Sequence, residues 1–181
     1  MRLPDRSPHA TTTFTDVVHD VVDIAAPPEA VFEALTDPHE LAAWLGDSSA
    51  GPDDAPIGTA SPVVAPGQRW RAPAVAPDGT AGSVRGEYLR VVAPYLLEST
   101  WSASWDGEPA LAVPDTVRFE LVPIDVGGAP GTRLTVIHTR TDAPFQVTAL
   151  QGMFVAGGDR QWPRMLSRLE VHVAARPGIF A

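Results

Sequence analysis

Cysteine and lysine are both absent from this sequence of 181 residues. Without cysteine the chain has no disulfide, no thiolate nucleophile and no cysteine-ligated metal centre. All 13 basic residues are arginine, so a lysine Schiff base is excluded as well. No stretch approaches the roughly 20 apolar residues that a membrane-spanning helix needs, and residues 1–13 contain no apolar segment typical of a secretory signal. We therefore expect a cytoplasmic protein that does not insert into membranes.

Positive charge is scarce. The 13 arginines stand against 22 acidic residues, which gives a formal net charge of −9. Nucleic acids and anionic membranes favour positively charged partners, so neither is expected to bind this chain. A hydrophobic content of 44% and a charged content of 19% are typical of one globular domain. We expect that domain over 13–176, between a flexible arm (1–12) and a short tail (177–181), with a long loop rich in proline and glycine at 47–66.

The hydrophobic period changes along the chain in an order that predicts an α+β fold. A strand pattern over 11–24 is followed by two short segments with helical spacing, 28–35 and 39–45. Six further strand-like segments lie between 59 and 140, separated by turn signals, so about seven strands are expected. The last third returns to helical spacing, with one apolar stripe on a long helix: Trp162, Met165, Leu166, Leu169 and Val173.

Each predicted strand has one mainly apolar face. In the last strand Leu134, Val136 and His138 share that face. An antiparallel sheet with a single apolar face needs a cover on that side, and the C-terminal helix provides one. A curved sheet around one helix leaves room for an apolar ligand between the two.

Several sequence fragments together suggest a family through their order and spacing. They lie at 24–32, 35–38, 41–45, 67–70, 78–79, 86–89, 94–101 and 131–138, with Trp162, Leu166 and Leu169 in the final helix. This set resembles the START/Bet v 1-like (SRPBCC) superfamily, and within it the branch of activator of Hsp90 ATPase homologues. The resemblance covers roughly 13–173. It implies a helix-grip fold, in which a curved antiparallel sheet of about seven strands wraps around a long C-terminal helix and two short helices follow the first strand.

The resemblance also implies a cavity for a hydrophobic or aromatic molecule. Eight residues, aromatic or predicted to face inward, are expected to line it: Trp44, Trp70, Tyr88, Trp101, Phe119, His138, Trp162 and Met165. Ordinary core packing stays open as the alternative for each tryptophan. Metal-ligand spacing and cofactor motifs are missing, so we expect neither a metal nor a cofactor.

His138 is the only candidate for a catalytic residue. Histidine titrates near neutral pH and can act as a general base, whereas a buried neutral histidine in a structural role is the alternative. The sequence identifies no carboxylate partner for it. Three functions follow in order of preference: binding of a small hydrophobic or aromatic ligand, catalysis of the polyketide cyclase, aromatase or dehydratase type, and a chaperone-interaction module. A monomer or a homodimer is expected.

Overall fold

Six strands and three helices make up the described part of the chain. The structure is a computed structural model that describes residues 15–45, 64–75, 81–105, 114–141 and 158–176. The elements in chain order are β1 (Thr15–Ile24), α1 (Pro28–Thr36), α2 (Pro38–Leu45), β2 (Arg69–Val75), β3 (Ala81–Val92), β4 (Leu96–Trp105), β5 (Asp115–Val126), β6 (Ala129–Thr141) and α3 (Gly158–Ala174).

The strand count differs from the prediction of about seven. The additional strand was expected at 59–64, and all of that segment except Val64 lies outside the described residues. The predicted arm (1–12), the predicted tail (177–181) and nearly all of the predicted loop at 47–66 also lie outside them, so these boundaries stay predictions.

The six strands form a single antiparallel sheet in the order β1-β6-β5-β4-β3-β2. Strands β2 to β6 follow one another as a meander, and β1 pairs with the last strand, β6. In β5 and β6 Val117 lies opposite His138 and Phe119 opposite Val136, so these side chains point to the same face of the sheet. The α+β helix-grip arrangement predicted from the sequence is confirmed.

The two short helices are fixed to each other by local hydrogen bonds. Pro28 begins α1, where its missing N–H has no intrahelical partner to lose. Asp37 separates the helices, and its Oδ1 accepts the backbone N–H of His39 (2.8 Å) and of Glu40 (3.2 Å), which caps the start of α2. Across the pair, the indole N–H of Trp44 donates to the carbonyl oxygen of Ala34 at 2.8 Å.

The C-terminal helix α3 covers the apolar face with the stripe predicted from its spacing. Trp162, Leu166, Leu169 and Val173 are buried, and Met165 is half-buried against the same core. Burying a large apolar side chain is worth roughly 1.5–3 kcal/mol, so this stripe contributes strongly to docking the helix.

Polar contacts fasten the end of α3 to the helix pair. Nε2 of His172 lies 2.6 Å from Oε2 of Glu40, and the guanidinium of Arg176 donates to Oε2 of Glu33 at 2.8 Å. The three helices therefore form one layer on the inner face of the sheet.

Candidate functional site

A chain of aromatic rings crosses the inner face of the sheet. The ring of Trp70 lies 6.4 Å from Tyr88 and 5.2 Å from Trp101, centroid to centroid. Trp101 in turn lies 5.6 Å from Trp162, which contacts Phe119 edge-on at 5.8 Å. We call these five residues the aromatic array. It connects the edge strand β2 with β3, β4, β5 and α3, and all five rings are buried.

A glycine allows Trp70 to lie in this array. Trp70 of β2 is directly opposite Gly86 of β3, and the indole lies across the glycine backbone. A Cβ atom at position 86 would lie 2.8 Å from Nε1 of Trp70 and would overlap the carbonyl oxygen of Thr100. Glycine is therefore required at this position by close packing, with no side chain between the indole and the sheet.

A small cavity lies at the centre of the array, between the sheet and helices α1 and α2. Its volume is about 10 Å³, which is about the space of one water molecule. It is lined by Leu35, Leu41, Trp44, Trp70, Tyr88, Leu97, Ser99, Trp101 and Phe119. None of these lining residues carries a charge.

This cavity is not the space that the sequence predicts between the sheet and the C-terminal helix, which stays a prediction. Its described lining residues come from α1, α2 and strands β2 to β5. Helix α3 contributes none of the described lining residues, although its Trp162 packs on Trp101 and Phe119 of the cavity wall. Five of the eight expected residues line the cavity: Trp44, Trp70, Tyr88, Trp101 and Phe119. The other three, His138, Trp162 and Met165, are not among its described lining residues.

The buried indole N–H groups differ in their partners. Trp44 donates to the carbonyl oxygen of Ala34 at 2.8 Å, and Trp162 donates to Nδ1 of His138 at 3.1 Å. Nε1 of Trp70 is buried as well, and it has no acceptor among the residues that the structure describes. Buried donors are nearly always paired, so this N–H is an exception in the wall of the cavity.

His138 occupies the middle of a three-residue hydrogen-bond chain. Its Nδ1 faces the Trp162 indole N–H, and its Nε2 lies 3.0 Å from Oδ2 of Asp115. An indole nitrogen can only donate, so Nδ1 of His138 must accept and the ring proton must be on Nε2. The imidazole is therefore neutral and donates to Asp115. Both side chains are largely shielded, with exposed fractions of 10% for His138 and 16% for Asp115.

This arrangement bears directly on His138 as a catalytic candidate. A general base needs a free lone pair, and the only lone pair of this tautomer is occupied by the Trp162 N–H. His138 as a general base stays a prediction that requires Trp162 to move first. As observed, Asp115 and His138 hold the Trp162 ring in place.

Asp115 is the residue that sequence reasoning missed. It begins β5, one residue before the predicted start of that strand, and lies opposite Trp101 in the neighbouring strand β4. In the register of β5 with β6 it stands diagonally from His138, two residues before Val117. Val117, Phe119 and Leu121 were predicted to face inward. Asp115 lies two residues before Val117, so the same alternation continued toward the start of the strand would have included it.

Burial changes the acid–base behaviour of the phenol in the cavity wall. Removal of Tyr88 from water raises the pKa of its hydroxyl from 10.0 to about 12. The phenol is therefore protonated at neutral pH and available as a hydrogen-bond donor. The phenolate is too unfavourable in this buried environment to act as a base near pH 7.

The described ranges contain neither a metal-type cluster nor a helix suited to cross a membrane. No group of three or more histidine, aspartate or glutamate side chains comes together there in an arrangement that could hold a metal ion. No described helix combines the length and the apolar character that a membrane crossing requires.

The family model described as "Activator of Hsp90 ATPase homolog 1-like protein" matches residues 25–174, which include the cavity lining and the hydrogen-bond chain. The chain belongs to this family. Members of this fold family commonly bind hydrophobic ligands. No curated protein matches the sequence.

Solved bacterial structures share the fold of this family member. Protein MLL2253 from Mesorhizobium loti is 25% identical, with a TM-score of 0.56, over 88% of this chain and 97% of that one. Protein Ms6760 from Mycobacterium smegmatis is 19% identical, with a TM-score of 0.63, over 91% and 98%. A protein from Arthrobacter aurescens is 15% identical, with a TM-score of 0.62, over 93% and 94%. The last two similarities concern the fold alone.

Proposed function

We propose that this chain binds a small hydrophobic or aromatic molecule against the aromatic array, between the sheet and helices α1 and α2. The observation that carries the proposal is the cavity wall, which is uncharged, largely aromatic and assembled from two helices and four strands. Ligand sites typically combine such an apolar lining with a few polar groups, which Tyr88, Ser99 and the Trp70 indole supply here.

The cavity volume of about 10 Å³ requires that the ligand displace side chains. Trp70 is the side chain best placed to move. It belongs to β2, which is the edge strand of the sheet, and its indole nitrogen makes no hydrogen bond to a described residue. A shift of this ring would widen the cavity without breaking a hydrogen bond of that side chain to a described residue, and the ring would remain in the cavity wall.

Ligand binding can be tested in two ways. Material extracted with organic solvent from the protein purified from its native host should contain a bound apolar compound, identified by mass spectrometry. Purified protein should also bind 2-ethylnaphthalene, seen as shifts of the indole N–H signals in a proton–nitrogen NMR spectrum.

A variant that fills the cavity tests whether the ligand binds there. Leu41 lies in the cavity wall and is 4% exposed, so Leu41→Phe should occupy the space and weaken 2-ethylnaphthalene binding by about tenfold, or about 1.4 kcal/mol. The control is Arg71→Ala, since Arg71 is exposed, lies next to Trp70 in β2 and its side chain therefore points to the opposite face. Equal binding by wild type and a folded Leu41→Phe variant would show that the ligand binds elsewhere.

A protein-interaction function is the second candidate, and two observations favour it. The cavity is small, and apolar side chains are exposed near the turn between β3 and β4 and on the adjacent strand, with exposed fractions of 46% for Val92, 48% for Tyr95 and 52% for Val122. The family description suggests Hsp90 as the partner to try. Under this alternative the chain would raise the ATPase rate of Hsp90, and Tyr95→Ser would abolish the increase. An unchanged ATPase rate together with naphthalene binding favours the first proposal.

A further inference from the structure

The unpaired N–H of Trp70 indicates which polar group a ligand of this cavity would carry. Its Nε1 atom is buried and has no acceptor within the described part of the chain, and its ring lies in the cavity wall. Leaving a buried donor without an acceptor is unfavourable, because the hydrogen bond that water would have made is lost without replacement. An acceptor atom delivered into the cavity would remove this penalty.

Two other buried indoles of this core have acceptors where Trp70 has none. Trp44 lines the same cavity, yet its N–H is satisfied by the carbonyl oxygen of Ala34. Trp162 is next but one in the aromatic array, and its N–H is satisfied by His138. The fold thus supplies acceptors to the indoles of Trp44 and Trp162 but leaves the N–H of Trp70, in the cavity wall, without one among the described residues.

The lack of charged residues in the described cavity wall limits the net charge that the ligand can carry. None of the described lining residues is charged, so a carboxylate or an ammonium group on the ligand would be buried without a counter-ion. The Tyr88 phenol, stacked on Trp70 at 6.4 Å between ring centroids, adds a second neutral donor, because burial raises its pKa to about 12. The wall therefore presents two neutral donors and a hydroxyl from Ser99.

We infer that the ligand is a neutral apolar molecule that carries a carbonyl-type oxygen, and that this oxygen accepts the Trp70 N–H. This inference rests on the proposed ligand-binding function and adds the chemical class of the ligand. A hydrocarbon of the same shape would fill the same space but leave Trp70 unpaired, and a charged analogue would lose its hydration without compensation.

A matched pair of probes tests the inference. 2-Acetylnaphthalene and 2-ethylnaphthalene have the same ring system and nearly the same shape, and they differ in a carbonyl oxygen against a methylene group. Wild type should bind the ketone several-fold to about tenfold more tightly than the hydrocarbon, as expected for one net hydrogen bond to a neutral donor. The Trp70 indole proton should shift downfield with the ketone and much less with the hydrocarbon.

Two variants test whether the preference for the ketone comes from the Trp70 N–H. Trp70→Phe keeps a ring in the wall but removes the N–H, so the ratio of the two dissociation constants should fall towards one while the hydrocarbon still binds. Trp44→Phe is the matched control: it removes an indole from the same wall whose N–H already bonds Ala34, so the preference for the ketone should remain.

The possible outcomes separate this inference from the proposed function. Equal affinity of wild type for both probes, or a ketone preference that survives in Trp70→Phe, overturns the inference and leaves ligand binding in place. Binding of neither probe by wild type overturns the proposed function and the inference with it. The shift of the Trp70 proton is measured in wild type, so the test does not depend on the stability of a variant.

Discussion

The indole N–H of Trp162 donates to Nδ1 of His138 across 3.1 Å and so joins helix α3 to the last strand of the sheet. The same imidazole reaches Asp115 on β5 through its other nitrogen, at 3.0 Å. One buried histidine thereby connects β5, β6 and α3. The contact also sets the rotation of α3 about its axis, because Trp162 is buried and packs on Trp101 and Phe119.

The tautomer of His138 is the first prediction. With Nδ1 accepting from Trp162 and Nε2 donating to Asp115, the neutral imidazole should carry its proton on Nε2 and not on Nδ1. Long-range proton–nitrogen NMR spectra distinguish the two tautomers and the imidazolium. A proton on Nδ1 at pH 7 would contradict the hydrogen-bond chain. Trp162→Phe removes the constraint on Nδ1 and should allow a mixture of tautomers.

Replacement of His138 should destabilise the fold in a way that depends on hydrogen bonding. His138→Phe keeps a ring in the core but leaves the Trp162 N–H without its acceptor, and we expect a loss of roughly 1–3 kcal/mol in the free energy of unfolding. His138→Gln retains one acceptor and one donor on its side chain and should lose less. Urea denaturation of the two variants measures the difference. Equal losses would mean that packing, and not hydrogen bonding, is what His138 contributes.

Much of this fold could be predicted because the residues that become buried recur along the sequence with the period of a strand or a helix. The inward positions Leu134, Val136 and His138 alternate as strand residues should, and all three are buried. The helical stripe that begins at Trp162 is likewise recovered, since a helix facing one side of a sheet repeats its apolar residues every three or four positions.

The cavity and the hydrogen-bond chain were beyond prediction because they depend on register between strands. Asp115 and His138 meet only because Val117 pairs with His138, and nothing local to either strand specifies that pairing. The position of the cavity beneath α1 and α2 depends on how Trp44 and Trp70 pack, which periodicity along one strand or helix does not encode. Five of the eight residues expected to bind a ligand line this cavity, and whether any of the eight binds one stays a prediction.

A methyl group at Gly86 should disturb the wall of the cavity. Gly86→Ala places a Cβ against the Thr100 carbonyl oxygen and 2.8 Å from the Trp70 indole, so one strand must shift and Trp70 must move. Forcing an extra methyl group into a packed site costs roughly 1–3 kcal/mol. Urea denaturation gives the loss, and the indole signal of Trp70 should move more than that of Trp162. In a Trp70→Ala background Gly86→Ala should still lower the free energy of unfolding, though by less, because the clash with the backbone of Thr100 remains. No further loss in that background would show that the indole, and not the backbone, requires glycine here.

The buried phenol of Tyr88 predicts a loss of stability at alkaline pH. Its pKa is about 12 in the folded protein against 10.0 when unfolded, so below pH 10 both states are protonated and stability does not depend on this group. As pH rises from 10 towards 12, only the unfolded chain releases the proton, and the free energy of unfolding should fall by roughly 2–3 kcal/mol in total. Tyr88→Phe should lack this decline, as measured by urea denaturation at a series of alkaline pH values.

A second measurement follows the ionisation of Tyr88 directly. In Tyr95→Phe, Tyr88 is the only tyrosine, so near-ultraviolet absorbance then follows its ionisation alone. A midpoint near 10 in that variant, with the fold intact, would show that the Tyr88 hydroxyl is open to water.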